Sequence, residues 1–186
     1  MRKSIYTHFT ALTSTLLLAA LLCTTCAIPS SLAQPTSFKA EFMGQFNASA
    51  EKLVSLAEAM PADAYDWQPM EGVATVAGAY MHVARYNYYY PETSLGIDTP
   101  AGVHLDTFES TEDKASVVAQ LRRSMDHVRS AVEAIPEEEF EAPTELYGRT
   151  VTKRAVLLQL ITHMNEHLGQ QIAYARSNRV VPPWSQ

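Results

Sequence analysis

Beyond Cys26 the chain has no cysteine at all, and its only two, Cys23 and Cys26, lie near its start. That excludes a disulfide framework and a thiol nucleophile for everything downstream. Glycine is sparse, seven in 186 residues, and no phosphate-cradling loop, GxSxG turn or Cys–His pair can be read. Basic residues are outnumbered, 14 Lys and Arg against 20 Asp and Glu, for a net charge of −6. An acidic chain without a basic stripe suits a phosphate backbone poorly, so nucleic acid is not an expected partner. No internal repeat or low-complexity segment stands out, and nothing after Ala33 is long and apolar enough to cross a membrane.

The one long apolar run lies at the start. Arg2 and Lys3 precede "ALTSTLLLAALLCTTCA" (residues 11–27), and Ser31-Leu32-Ala33 follows. Basic start, apolar middle and small-x-small end are the parts of a secretory signal peptide. The cut is expected after Ala33, with Ala27 as second choice. An uncleaved anchor competes with this reading, but the run is rich in Ser and Thr and short of the roughly 20 residues of a span. Neither cysteine follows a convincing lipobox. The chain is thus read as a signal peptide, residues 1–33, and a domain, residues 34–186, exported to the periplasm or outside the cell. Cleavage takes the net charge to −8 and removes both cysteines. The remaining 153 residues suffice for one domain with a real core.

Four helical segments are legible from periodicity. The first covers about residues 36–60, with Phe42, Phe46, Leu53 and Leu56 on one face, and stops at Pro61. The second starts at Thr75, a plausible N-cap, takes in "YNYYY" and ends before Pro91. The third opens at "STEDK", capped by Ser110 or Thr111. It carries the stripe Val117, Leu121, Met125 (or Ser124), Val128, Val132 and Ile135. The fourth covers about residues 150–178, with Leu157, Ile161, Met164, Leu168 and Ile172. No segment alternates with a period of two, and "PEEEFEAPTE" reads as a solvated loop. The predicted fold class is all-α, a four-helix bundle with a long connection between helices two and three. That connection can let consecutive helices run the same way and can cover one end of the bundle.

The histidines carry the chemistry. His163 and His167 are four apart, which places them on one helix face roughly 5–6 Å apart at Cβ. They flank the core side, so they read either as two ligands of one metal ion or as two polar residues sharing a face. This is no zincin motif, because Met164 stands where that motif has Glu. His82 shares a face of helix two with Thr75, Gly78, Ala79, Tyr86 and Tyr89, and reads as a third ligand or a core histidine. His127, aligned with Gln120, Arg123 and Ser130, is expected in solvent. His104 lies in the long connection and can approach from outside. The tyrosines 86, 88, 89 and 90 read as bundle packing first and as a pocket lining second. Asn47-Ala48-Ser49 fits a glycosylation acceptor, but inside a helix.

The stretch ahead of His82, "WQPMEGVATVAGAYMH", resembles the lead-in of the DinB-like (damage-inducible) metal-binding four-helix bundles, on Trp67, Pro69, Gly72, Thr75, Val76 and His82. The other half of the pattern matches on His163, His167, Gln171, Ile172 and Pro182-Pro183. The resemblance covers nearly all of the expected domain in order. It implies a DinB-like bundle holding a divalent metal on His82, His163 and His167, with at least one open position. Three neutral imidazoles suit zinc or nickel. Each needs a partner for its second nitrogen, and Glu166, Asn165, Gln170 and Tyr86 are the nearest by spacing. The family often has an acidic residue one turn after the first histidine, where this chain has Arg85 and Tyr86.

Relatives of this fold are thought to include thiol-dependent transferases and isomerases, in which the metal activates a small thiol. The expectation is an exported metalloenzyme of that kind or a metal-assisted hydrolase acting on a small-molecule substrate. A non-catalytic bundle that holds a metal or a small ligand is the alternative, and a purely structural role for the histidines is a third reading. No catalytic residue is assigned. Export argues against the thiol route, since small thiols are kept mainly inside cells. A homodimer is left open, and the sequence does not assign the oligomeric state.

Overall fold

Each of the four helices begins where a short polar side chain can satisfy its first amides. The computed structural model describes residues 37–186; the expected signal peptide and its cut after Ala33 lie outside the described residues. Helix α1 (Phe38–Ala59) is capped by Ser37, α2 (Val76–Tyr90) by Thr75, α3 (Lys114–Ala134) by Asp113 and α4 (Lys153–Ser177) by Thr152. In each case the side-chain oxygen accepts from the backbone N–H three residues on, at 2.9–3.2 Å. Hydrogen bonds from the backbone of Ser116 and Ala115 hold the Asp113 carboxyl below its usual range. The cap of α3 is thus Asp113 and not Ser110 or Thr111: those two end a short 3-10 turn, Phe108–Ser110, that belongs to the connection.

Helices α1 and α2 both pack against α3 and α4. The core is what the periodicity predicts for α1 and α3: Phe42, Phe46, Leu53 and Leu56 face Val117, Leu121, Met125, Val128, Val132 and Ile135, all buried. Burying each such side chain contributes about 1.5–3 kcal/mol. In α4 the buried face is turned from the expected one. Leu160 and Gln171 are buried, and Ile161 and Ile172 lie half out. Lys114 ties the bundle lengthwise, donating to the carbonyls of Glu58 and Met60 at the open end of α1.

Three features of the connections depart from the pattern read in the sequence. Pro91 does not end the chain's helical course: a π-helical turn, Pro91–Leu95, follows α2 directly and is closed by Gly96 at φ +72°. Between α3 and α4 the chain forms a two-stranded antiparallel hairpin, β1 (Pro143–Leu146) and β2 (Arg149–Thr152), with Leu146 opposite Arg149. Four residues per strand is too short to show alternation. The acidic stretch before it is a 3-10 turn, Glu137–Glu141, pinned to the core by the fully buried Phe140 and therefore no free loop. Among the described residues no helix is long and apolar enough to cross a membrane.

Candidate metal centre

The lead-in to α2 fixes where its histidine points. The first four amides of α2 are each satisfied locally. Val76 donates to the Trp67 carbonyl (3.0 Å), Ala77 to Tyr65 (2.9 Å), Gly78 to the Thr75 hydroxyl (3.0 Å) and Ala79 to the Thr75 carbonyl (2.9 Å). From α4 the buried Gln171 donates to the Val76 carbonyl at 2.8 Å. The start of α2 is thus held by the loop before it and by the helix beside it. His82 follows six residues later, and its angle about the helix is set by that start.

The rotation so fixed brings His82 to His163 and His167. Ring centroids are 5.1 Å apart for His82–His163, 4.9 Å for His82–His167 and 4.7 Å for His163–His167. One nitrogen from each ring lies within 4.8 Å of the other two. Ligand nitrogens around one zinc ion sit about 3.3 Å apart, as follows from Zn–N bonds near 2.0–2.1 Å, so modest side-chain rotation closes the triangle. All three rings are half-buried. Burial, reinforced by His167 and His82 alongside, pushes the pKa of His163 down to about 4. Burial also lowers His167, partly offset by its hydrogen bond to Gln170. Neutral imidazoles are the form a metal ion requires.

Two of the three rings are also held from behind. His82 Nδ1 lies 2.9 Å from Glu109 Oε1, and since a carboxylate only accepts, the ring donates. His167 Nδ1 lies 2.7 Å from Gln170 Oε1. That amide is itself oriented: its Nε2 donates to the Tyr174 hydroxyl at 2.7 Å, and Tyr174 donates to the Ala74 carbonyl at 3.2 Å. Trp67 packs edge-on against Tyr174 at 5.3 Å. Both histidines therefore carry their proton on Nδ1 and keep the Nε2 lone pair free. This is the arrangement by which a metal-binding imidazole is usually oriented. His163 has aromatic walls instead, Tyr86 at 4.5 Å and Tyr90 at 6.0 Å, and Tyr86 also lies 4.7 Å from His82. Chemically, the three residues can hold one divalent ion.

Of the expected outer partners, Gln170 takes that place and Tyr86 flanks the rings. Asn165 turns away to Ile161 and Ser49, and Glu166 is exposed. The residue that sequence reasoning missed is Glu109. It arrives on the turn Phe108–Ser110 of the long connection, so that this connection does reach the site, though with a carboxylate and not with His104. His104 lies instead in a cleft with Tyr88, Thr107 and Arg123. The signal available in the sequence was indirect: Arg85 stands where an acid is usual, and it steadies the substitute. Its Nε donates to the Leu105 carbonyl at 3.1 Å and lies 3.9 Å from Glu109. His127 is not in solvent either. It is half-buried and packs on Tyr88 at 4.9 Å, with Nε2 buried and unpartnered, because Tyr88 of α2 lies over its side of α3.

Fold and site together define a helical bundle with a histidine triad between its second and fourth helices. The chain belongs to the DinB superfamily, whose family model matches residues 45–171. Among solved structures it is similar to a DinB-like protein from Bacillus cereus, with TM-score 0.68 and 14% identity over 76% of this chain and 93% of that one. A DinB-like protein from Bacillus subtilis matches with TM-score 0.57 and 21% identity over 77% and 92%. A conserved protein from Enterococcus faecalis matches with TM-score 0.58 and 15% identity over 76% and 96%. At these identities the likeness is one of fold. No curated protein matches the chain.

Proposed function

We propose that this chain is an exported DinB-superfamily protein that holds one divalent metal ion, zinc or nickel, on His82, His163 and His167. The observation that carries the reading is the pair of engaged Nδ1–H groups, His82 to Glu109 and His167 to Gln170, which leaves two Nε2 lone pairs free in a cluster where one nitrogen of each of the three rings lies within 4.8 Å of the others. A packed core histidine also wants a partner for its N–H, but it has no reason to bring its other nitrogen to two further imidazoles. Three protein ligands leave a position open, as in catalytic and not in closed structural sites. When bound, the ion supplies Lewis acidity at that position. The protein's own part is to keep His163 and His167 neutral by burial, to orient His82 and His167 through Glu109 and Gln170, and to wall His163 with Tyr86 and Tyr90. A thiol-dependent transferase or isomerase and a metal-assisted hydrolase are the two enzyme readings of such a site.

A non-catalytic bundle is the second reading, and one observation favours it. The carboxylate that meets the imidazoles, Glu109, is engaged by His82 and is placed to orient a ligand, not to move a substrate proton. Metal analysis of protein purified without a histidine tag tests the common core: about one zinc or nickel ion per chain is expected, and protein that stays empty in metal-replete buffer removes it. Turnover of thiol or hydrolysable substrates by the loaded protein then separates enzyme from binding module. Export is tested separately by intact mass from the native host, where a chain beginning at Gln34 is expected and a full-length cytoplasmic species overturns it.

A further inference from the structure

The hairpin ends in a residue that the turn itself does not favour. Leu146 pairs with Arg149, so the loop has two residues, Tyr147 at φ +51° and Gly148 at φ +72°. Positive φ at both positions is the type I′ geometry, for which Asn, Asp or Gly is the usual first residue. A bulky aromatic there is an outlier. Its ring is also poorly covered, with Tyr147 55% exposed. Strain and exposure together are the mark of a side chain kept for something other than packing.

The ring lies at the end of a row that leads to the triad. Tyr147 meets Tyr90 edge-on at 6.2 Å, and the two hydroxyls are 2.6 Å apart. Tyr90 meets Tyr86 at 5.2 Å, and Tyr86 lies against His163 and His82. Tyr90 is fully buried, Tyr86 is half-buried and Tyr147 is open, so the two ends of the row are the rings a ligand can reach.

We propose that Tyr147 is a specificity-determining residue, the outer end of a tyrosine wall that receives a planar, apolar group of a ligand whose polar end sits at the histidine triad. The proposal rests on the reading of that triad as a metal site. Its test uses two metal-directed probes that differ only in such a group, acetohydroxamate and benzohydroxamate, titrated calorimetrically into the zinc-loaded protein, with zinc content measured on the same samples. Wild type is expected to bind benzohydroxamate about 10-fold more tightly, in the range of a good aromatic contact. Tyr147→Asn, which restores a favoured turn residue, should keep zinc and acetohydroxamate binding and lose the preference. Tyr147→Phe should retain the preference, since the ring provides it. A zinc-loaded wild type without the preference, or a Tyr147→Asn protein that keeps it, overturns the proposal alone. A chain that takes up no zinc removes the underlying reading, and the proposal with it.

Discussion

The triad and His127 offer the same chemical group in two settings. His163 and His127 are both half-buried, both lie against a tyrosine ring, Tyr86 at 4.5 Å and Tyr88 at 4.9 Å, and burial lowers the pKa of both. A depressed histidine pKa therefore does not distinguish a candidate site from a piece of packing. Convergence does. His163 has two further imidazoles within 5.1 Å by ring centroid, two of the three Nδ1 atoms are engaged by other side chains, and one nitrogen from each ring lies within 4.8 Å of the other two. His127 has its Nε2 buried with no partner.

The sharpest way to break that contrast is to remove one ring from each setting. His163→Ala or His167→Ala leaves two nitrogens for the ion and should weaken zinc binding by more than about 100-fold, beyond what loss of an outer partner does. His127→Ala should leave zinc affinity unchanged. Competition against a chromogenic chelator measures both, and equal losses in the two settings would remove the distinction. One step outward, Glu109→Ala and Gln170→Ala should each cost about 10–100-fold in affinity. Glu109→Gln should recover part of the loss, because its amide oxygen can still accept from His82 Nδ1.

Acid should act more weakly, and in one direction. His163 titrates at 6.5 when unperturbed and at about 4 in the metal-free fold. Between those values the unfolded chain binds the proton that the folded chain refuses. Stability is then full above pH 6.5 and falls as the pH drops towards 4, below which the difference is constant. His167 shifts the same way. Thermal melts of metal-free protein should show that decline, and melts of zinc-loaded protein should resist it until the ion is released. A metal-free protein equally stable at both ends of that range would contradict the buried, neutral state of His163 and His167.

The four helices, two of the core stripes and the pair on α4 could be read from the sequence because each depends on spacing along one helix or on a local cap, whereas His82 joined that pair only through the family resemblance. Thr75, Leu121 and the pair His163 and His167 are cases of this kind. Glu109 could not be read so, because its approach to His82 depends on the path of an irregular connection 27 residues away in sequence. The hairpin was hidden by its brevity, and Tyr147 by its position in a turn that usually takes another residue. His127 was misjudged for a related reason: its own helix face is polar, but Tyr88 of another helix lies over it. What neighbouring elements cover does not follow from the periodicity of one element.

The smallest effect is expected at His127 and concerns stability alone. Its Nε2 is buried without a partner, and an unsatisfied buried polar atom costs roughly 1–3 kcal/mol. His127→Phe keeps an aromatic ring against Tyr88 and removes that atom, so a gain of about 1 kcal/mol is expected near neutral pH. The gain should widen on acidification. Burial holds the His127 pKa below 6.5, so the wild type loses stability as the pH falls past that value, and the variant has no such group to titrate. Denaturant unfolding at two pH values measures both effects. A variant less stable than wild type would mean that Nε2 has a partner, such as a bound water, and that this histidine too is held in place by hydrogen bonding.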